Sequence, residues 1–309
     1  MGTIVVGVDG STPSRRAVEW AVRRAASTGS DVLLVHVMDD DPNAIRSIGG
    51  GSGSARLFIE REVAHAGSLD PGVAVRGELR VGSPMRELSA ASAGADLVVV
   101  GTNKTGFVHG KVFGSRSLQL AGGSSVPVAV IPESPVNARH GIVAGVDESP
   151  ASAAAIEFAA AEARITRQPL TLVRAWGWAE GIRNEPDEQQ RLHNDRSDAV
   201  AEELLATAAL TVGDETVAHR RVVHRPPAEA LTAAAASAAL LVLGSSRRSG
   251  PERMMLGSVS HDVLINIAGP TIIVHADDQP APLERNDRED CDRVRVDVRQ
   301  YPQDRGRDR

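Results

Sequence analysis

Aspartate follows a short valine-rich run twice in this chain, at Asp9 and at Asp147, and each time a polar turn and a helical pattern come next. A carboxylate at the carboxyl end of a strand can accept hydrogen bonds from an exocyclic amine or a ribose hydroxyl. The same acid also serves simply to orient a turn, as in many Asp-Gly-Ser and Asp-Glu-Ser sequences. A second pair of segments is richer. Gly101, two residues, Lys104, nine residues and Gly114-Ser115 follow one apolar run; Gly244, two residues, Arg247, nine residues and Gly257-Ser258 follow another. Glycines in such places let main-chain N–H groups approach an anion with no Cβ in the way. A helix opening at Gly-Ser adds unpaired N–H groups and the positive end of its dipole. Ser115 and Ser117 offer hydroxyl donors, and Lys104 and Lys111, the only lysines of the chain, both lie in the first segment. The plain alternative is a crossover loop with a capping serine.

The elements that must position these residues occur twice. Ile4 to Ser11 recurs as Ile142 to Ser149, and Ala17 to Ala21 recurs as Ala155 to Ala159, both at an offset of 138. Leu97 to Gly101 returns as Leu240 to Gly244 at an offset of 143, which persists through Gly114-Ser115 and the Val126-Pro127-Val128 segment. A register held across several elements, with one net insertion, marks a tandem duplication. In the first copy the runs Thr3 to Val8, Asp31 to Val37, Val73 to Val81, Leu97 to Gly101 and Val126 to Ile131 read as strands. Several are nearly continuous apolar runs, as strands buried on both faces require. Helical patterns lie between them, at Ser14 to Ser27, Ala55 to Ala66, Pro84 to Ala93 and Gly114 to Ala121. In the second copy strands are expected near 141–146, 169–175, 217–223, 240–244 and 271–275, and a long helix within 187–210. Alternating strands and helices imply right-handed crossovers and a parallel sheet covered on both sides. The fold class is therefore α/β, with two tandem doubly wound domains at 1–137 and 138–277. Gly49 to Ser54 reads as a mobile loop. Residues 278–309 form a charged tail too poor in large apolar groups to order itself, although Val294, Val296 and Val298 alternate as an edge strand would.

Composition narrows the function. The 309 residues are 42% hydrophobic and 24% charged, with aromatics at only 3%, so the core must be aliphatic. The net charge of −6 argues against general attraction to nucleic acid or anionic lipid. No apolar run approaches the roughly 20 residues of a membrane span, and the first residues lack the pattern of a signal peptide. A single cysteine, Cys291, forms no internal disulfide, and a cytoplasmic address is expected. The nine histidines show no metal-ligand spacing with it. His109 sits in the glycine-rich segment and reads either as a surface residue or, by analogy with other helix-start sites, as a phosphate contact. Trp176 and Trp178 follow a strand of the second copy, placed either to pack over the sheet edge or to stack on a base. Glu19 and Glu157 read as helical polar contacts. No nucleophile, base and orienting acid occur at a recognisable spacing, so no enzymatic reaction is assigned.

The combination resembles the universal stress protein family, whose nucleotide-binding members carry Gly, two residues, Gly, nine residues, then Gly and Ser or Thr, after the fourth strand. The likeness covers residues 1–276 as two copies and includes the Gly-Val-Asp opening. It implies a five-stranded parallel sheet per copy, with members commonly pairing through their last strands. Here that means an intramolecular pseudo-dimer of the two copies, with a homodimer as a further option. It also implies ATP as ligand, carrying Mg2+. Asp9 with Val37, and Asp147 with Ala175, would meet adenine. Gly101 and Gly114-Ser115, or Gly244 and Gly257-Ser258, would cradle ribose and phosphates. A regulatory or protective role in stress response follows by the same likeness, with a nucleotide-free partner-binding module as the alternative and slow ATP hydrolysis or nucleotidyl transfer third. Both copies depart from the motif at its middle glycine, where Lys104 and Arg247 stand. Conversion of Lys104 to Gly reads that departure in a nucleotide titration. A gain in affinity means that the side chain obstructs, and a loss means that it contacts phosphate.

Overall fold

The computed structural model describes residues 2–38, 51–103, 115–133, 139–177, 188–212, 218–245, 256–276 and 294–296. The first copy contributes strands β1 (Thr3–Gly7), β2 (Asp31–Met38), β3 (Val75–Val81), β4 (Leu97–Thr102) and β5 (Val128–Pro132), with helices α1 (Thr12–Thr28), α2 (Gly51–Leu69), α3 (Pro84–Ala91) and α4 (Ser115–Gly123). The second contributes β6 (Ile142–Gly145), β7 (Leu170–Ala175), β8 (Ala218–Val223), β9 (Leu240–Gly244) and β10 (Thr271–Val274), with α5 (Pro150–Thr166), α6 (Glu188–Val212), α7 (Pro227–Ala235) and α8 (Ser258–Ile265). These match the expected positions closely, with one correction. Gly51 to Ser54, expected as loop, forms the first turn of α2. Helix propagated back from a packed face overrides the poor propensity of glycine there. Gly49 and Gly50 lie outside the described residues.

All ten strands join one sheet with an eleventh, β11 (Val294–Val296), in the order β11-β3-β2-β1-β4-β5-β10-β9-β6-β7-β8. Within each copy every pairing is parallel. The copies meet where β5 runs antiparallel to β10, with Ala129 opposite Ile272. β11 lies antiparallel to β3, Val296 opposite Gly77, so the valine alternation of the tail covers an edge of its own sheet. The rest of the tail lies outside the described residues.

The period of two in the buried strands sorts the core. Ile4 and Val6 of β1 pack into a cluster with Ala17, Val18 and Ile59 on one face, and Val5 packs with Leu88, Val98 and Leu120 on the other. Helices on both faces are what a fully apolar parallel strand demands. Each first helix is capped alike: Ser11 Oγ accepts from Ser14 N at 3.3 Å, and Ser149 Oγ from Ser152 N at 3.1 Å. Each also ends alike, in a left-handed residue, but with different side chains. Gly29 takes φ 67° after α1, whereas Arg167 takes φ 52° after α5. A Cβ in that conformation costs about 1–2 kcal/mol, part of which glycine returns through the greater freedom of its unfolded chain. Arg167→Gly is therefore expected to raise stability in urea denaturation by about 1 kcal/mol, and Gly29→Arg to lower it by a similar amount.

Candidate functional site

In each copy the strand order reverses between the first and fourth strands, β1 and β4 or β6 and β9. Crossovers leave to opposite faces there, which opens a crevice beyond the carboxyl ends of those strands. The turn after the first strand is built on the same plan in both. Asp9 Oδ1 accepts from Ser11 N at 3.0 Å and from Ser11 Oγ at 2.6 Å, while Asp9 N donates to Ser14 Oγ at 3.2 Å. In the second copy Asp147 Oδ1 accepts from Ser149 N at 2.8 Å, and Asp147 N donates to Ser152 Oγ at 3.0 Å. The acids thus orient their turns, and both stand on the crevice wall. One residue before each acid, the carbonyl is held from β2 or β7: His36 Nδ1 donates to Val8 O at 2.8 Å, and Arg174 Nη1 to Val146 O at 3.3 Å.

The cavity of the first copy, about 160 Å³, brings together Asp9, Val37 and Gly101 over an apolar floor of Met85, Leu88 and Val100. Arg116 and Ser117, from the first turn of α4, close one side of it. The second cavity, about 360 Å³, gathers Asp147, Ala175 and Gly244 with Leu231 and Ser260. Ala175 lines it where the first copy has Val37, and the repeat position of Met85 is Ala228. Trp176 adds a wall, fixed by Nε1 donating to Asp198 Oδ1 at 3.1 Å and by its ring lying 4.9 Å from that of His224. Of the remaining expected residues, Gly257 caps α8 and donates its N–H to Ser245 Oγ at 3.2 Å, and Ser258 is exposed in the first helical turn. Neither lines the cavity. Ser260 does, and it donates to Gly244 O at 3.0 Å. Ser115 opens α4. Lys104, Lys111, His109, Gly114, Trp178 and Arg247 lie outside the described residues. Glu19 makes the helical contact expected of it, accepting from Arg16 Nη1 at 2.9 Å.

Sequence reasoning missed Ser14 and Ser152, whose exact repetition at the offset of 138 was a usable signal. It also missed Met85 and Leu88, which no spacing connects to Asp9.

The glycine after the fourth strand has a second role. A Cβ on Gly101 would collide with the backbone of Pro13 and stand 2.7 Å from Ser14 N; on Gly244 it would strike Ala151 and stand 2.6 Å from Ser152 N. The first turn of α1 or α5 thus rests on the strand main chain to main chain. Gly101→Ala and Gly244→Ala are each expected to destabilise the ligand-free chain by about 1–3 kcal/mol in urea denaturation. A glycine needed only for phosphate would leave that value unchanged.

The universal stress protein family profile matches residues 1–132 and 139–275. A universal stress protein of Mycobacterium tuberculosis (strain ATCC 25618 / H37Rv) is 32% identical over 316 residues, covering 90% of this chain and 96% of the relative. One of Mycolicibacterium smegmatis (strain ATCC 700084 / mc(2)155) is 32% identical over 287 residues, covering 88% and 96%. The crystal structure of a universal stress protein from Archaeoglobus fulgidus DSM 4304 has a TM-score of 0.63 at 17% identity, over 89% of this chain and 98% of its own, a likeness of fold alone. With two family matches in series and relatives that run nearly its whole length, the chain belongs to the universal stress protein family as a tandem of two copies.

Proposed function

We propose that this chain is a cytoplasmic adenine-nucleotide-binding regulatory factor of stress response, holding ATP in the first copy and presenting a related cavity in the second. The observation that carries this reading is the first cavity. An acid after the first strand, an apolar floor of Met85, Leu88 and Val100, and a serine and arginine at a helix start converge at the crevice where the strand order reverses. Asp9 would take the exocyclic amine, Val37 and Met85 the ring faces, and Ser117 with Arg116 the anionic end. Mg2+ would come with the phosphates: among the described residues no three His, Cys, Asp or Glu side chains cluster to hold a metal by themselves, and Mg2+ is commonly held by few protein groups plus substrate phosphates. Regulation would work by linkage, since a ligand that prefers one arrangement of the crevice raises its population. The antiparallel β5–β10 contact makes the two copies an intramolecular pseudo-dimer in this reading, so that both crevices belong to one body. Among the described residues no helix is long and apolar enough to cross a membrane.

For the second copy, one observation favours the nucleotide-free, partner-binding reading. The N–H of Gly257, which the motif would present to phosphate, is already given to Ser245.

Thermal unfolding with saturating Mg-ATP tests the proposal. Ligand at a hundredfold excess over its Kd is expected to raise Tm by roughly 5 °C. Asp9→Ala should abolish most of that rise, whereas Ser11→Ala, which removes a turn partner and keeps the carboxylate, should preserve it. A flat response in the wild-type chain would leave the nucleotide-free module as the reading for both copies.

A further inference from the structure

Where the approximate twofold axis of a duplicated chain passes, a residue faces its own repeat. Such positions distinguish a pairing of unlike copies from a pairing of like ones. One lies in the sheet: Ala129 of β5 is opposite Ile272 of β10, its repeat at the offset of 143, and both side chains are fully buried. Another lies on the helices above it. Arg24 of α1 and Glu162 of α5 are repeats at the offset of 138, and they bond to each other. Arg24 Nη2 donates to Glu162 Oε1, and Arg24 Nε to Glu162 Oε2 at 3.3 Å. Their side chains are only 11% and 5% exposed. Arg24 Cζ also lies 5.8 Å from the ring centroid of Phe158, the repeat of Trp20.

We infer that these two axis pairs encode unlike pairing: the surface of the first copy is fitted to the second copy and selects against another copy of itself. Two first copies would set Arg24 against Arg24 and leave a gap between two Ala129 side chains. Two second copies would set Glu162 against Glu162 and crowd two Ile272 side chains into the space of one. Like charges withdrawn from solvent at such a contact are poorly screened and strongly unfavourable. Gap and crowding both cost packing. Charge and volume change in complementary senses at the two positions, which is how an interface rejects a near-identical competitor. Two single substitutions recreate the rejected contacts inside the whole chain. Glu162→Arg builds the Arg–Arg contact, and Arg24→Glu builds the Glu–Glu contact.

The test compares these two full-length variants with the double reversal Arg24→Glu/Glu162→Arg and with the neutral Arg24→Met. The readouts are Tm and hydrogen exchange of the β5 and β10 amides, which reports opening of the contact itself. Each reversal is expected to speed that exchange by about tenfold or more and to lower Tm by about 10 °C, beyond the effect of Arg24→Met. The double reversal should return to within about threefold of the wild-type exchange. A folded double variant beside unfolded single ones supports the inference equally. Reversals no worse than Arg24→Met, or a double variant no better than its worse parent, overturn it.

Discussion

Main chain meets main chain where the fourth strand ends and the first helix begins, at Gly101 against Pro13 and again at Gly244 against Ala151. That contact sets how low the helix lies over the sheet. With the helix seated, Ser14 or Ser152 comes within reach of the backbone N–H of the preceding acid, and the Asp–Ser turn closes over the end of β1 or β6. The crevice beyond has its shape because the helix start occupies one side and the strand order reverses beneath it. A Cβ at either glycine would strike that backbone, so the helix start would have to shift. A site that looks like a collection of loop residues thus depends on a backbone contact that no loop residue makes.

The duplication, the strand order of elements and the buried runs were legible because they are local or periodic: Leu97 to Val100 is apolar at every position, and all four residues are buried. The acids and the two strand-end glycines were legible because position at the end of a strand is itself a local signal, whereas Val37 and Ala175 came only through the family resemblance. The floor of the cavity was not. Met85 and Leu88 reach Asp9 only through the packing of α3 under the sheet, which no spacing records. The strand-end glycines were read as openings for an anion, and their contact with a distant helix start is equally invisible to spacing. The valine alternation near the end of the tail was visible, but its partner was not, since nothing local ties Val296 to Gly77.

The two copies have kept their frame and diverged at its surfaces. His36 and Arg174 perform one task, holding the carbonyl before the acid, with different side chains. Gly29 and Arg167 end equivalent helices in the same left-handed conformation. At the contact between copies the divergence is complementary, arginine to glutamate and alanine to isoleucine, whereas inside the cavities it is a change of volume.

Trp176 carries that inequality into spectroscopy. Its indole forms part of the second cavity wall and is anchored through Asp198, while among the described residues no tryptophan borders the first. The halves are therefore optically distinct. A molecule settling in the second crevice alters the surroundings of a native fluorophore, and one settling in the first leaves that fluorophore undisturbed, so a change in Trp176 emission reports occupancy of the second half without a label.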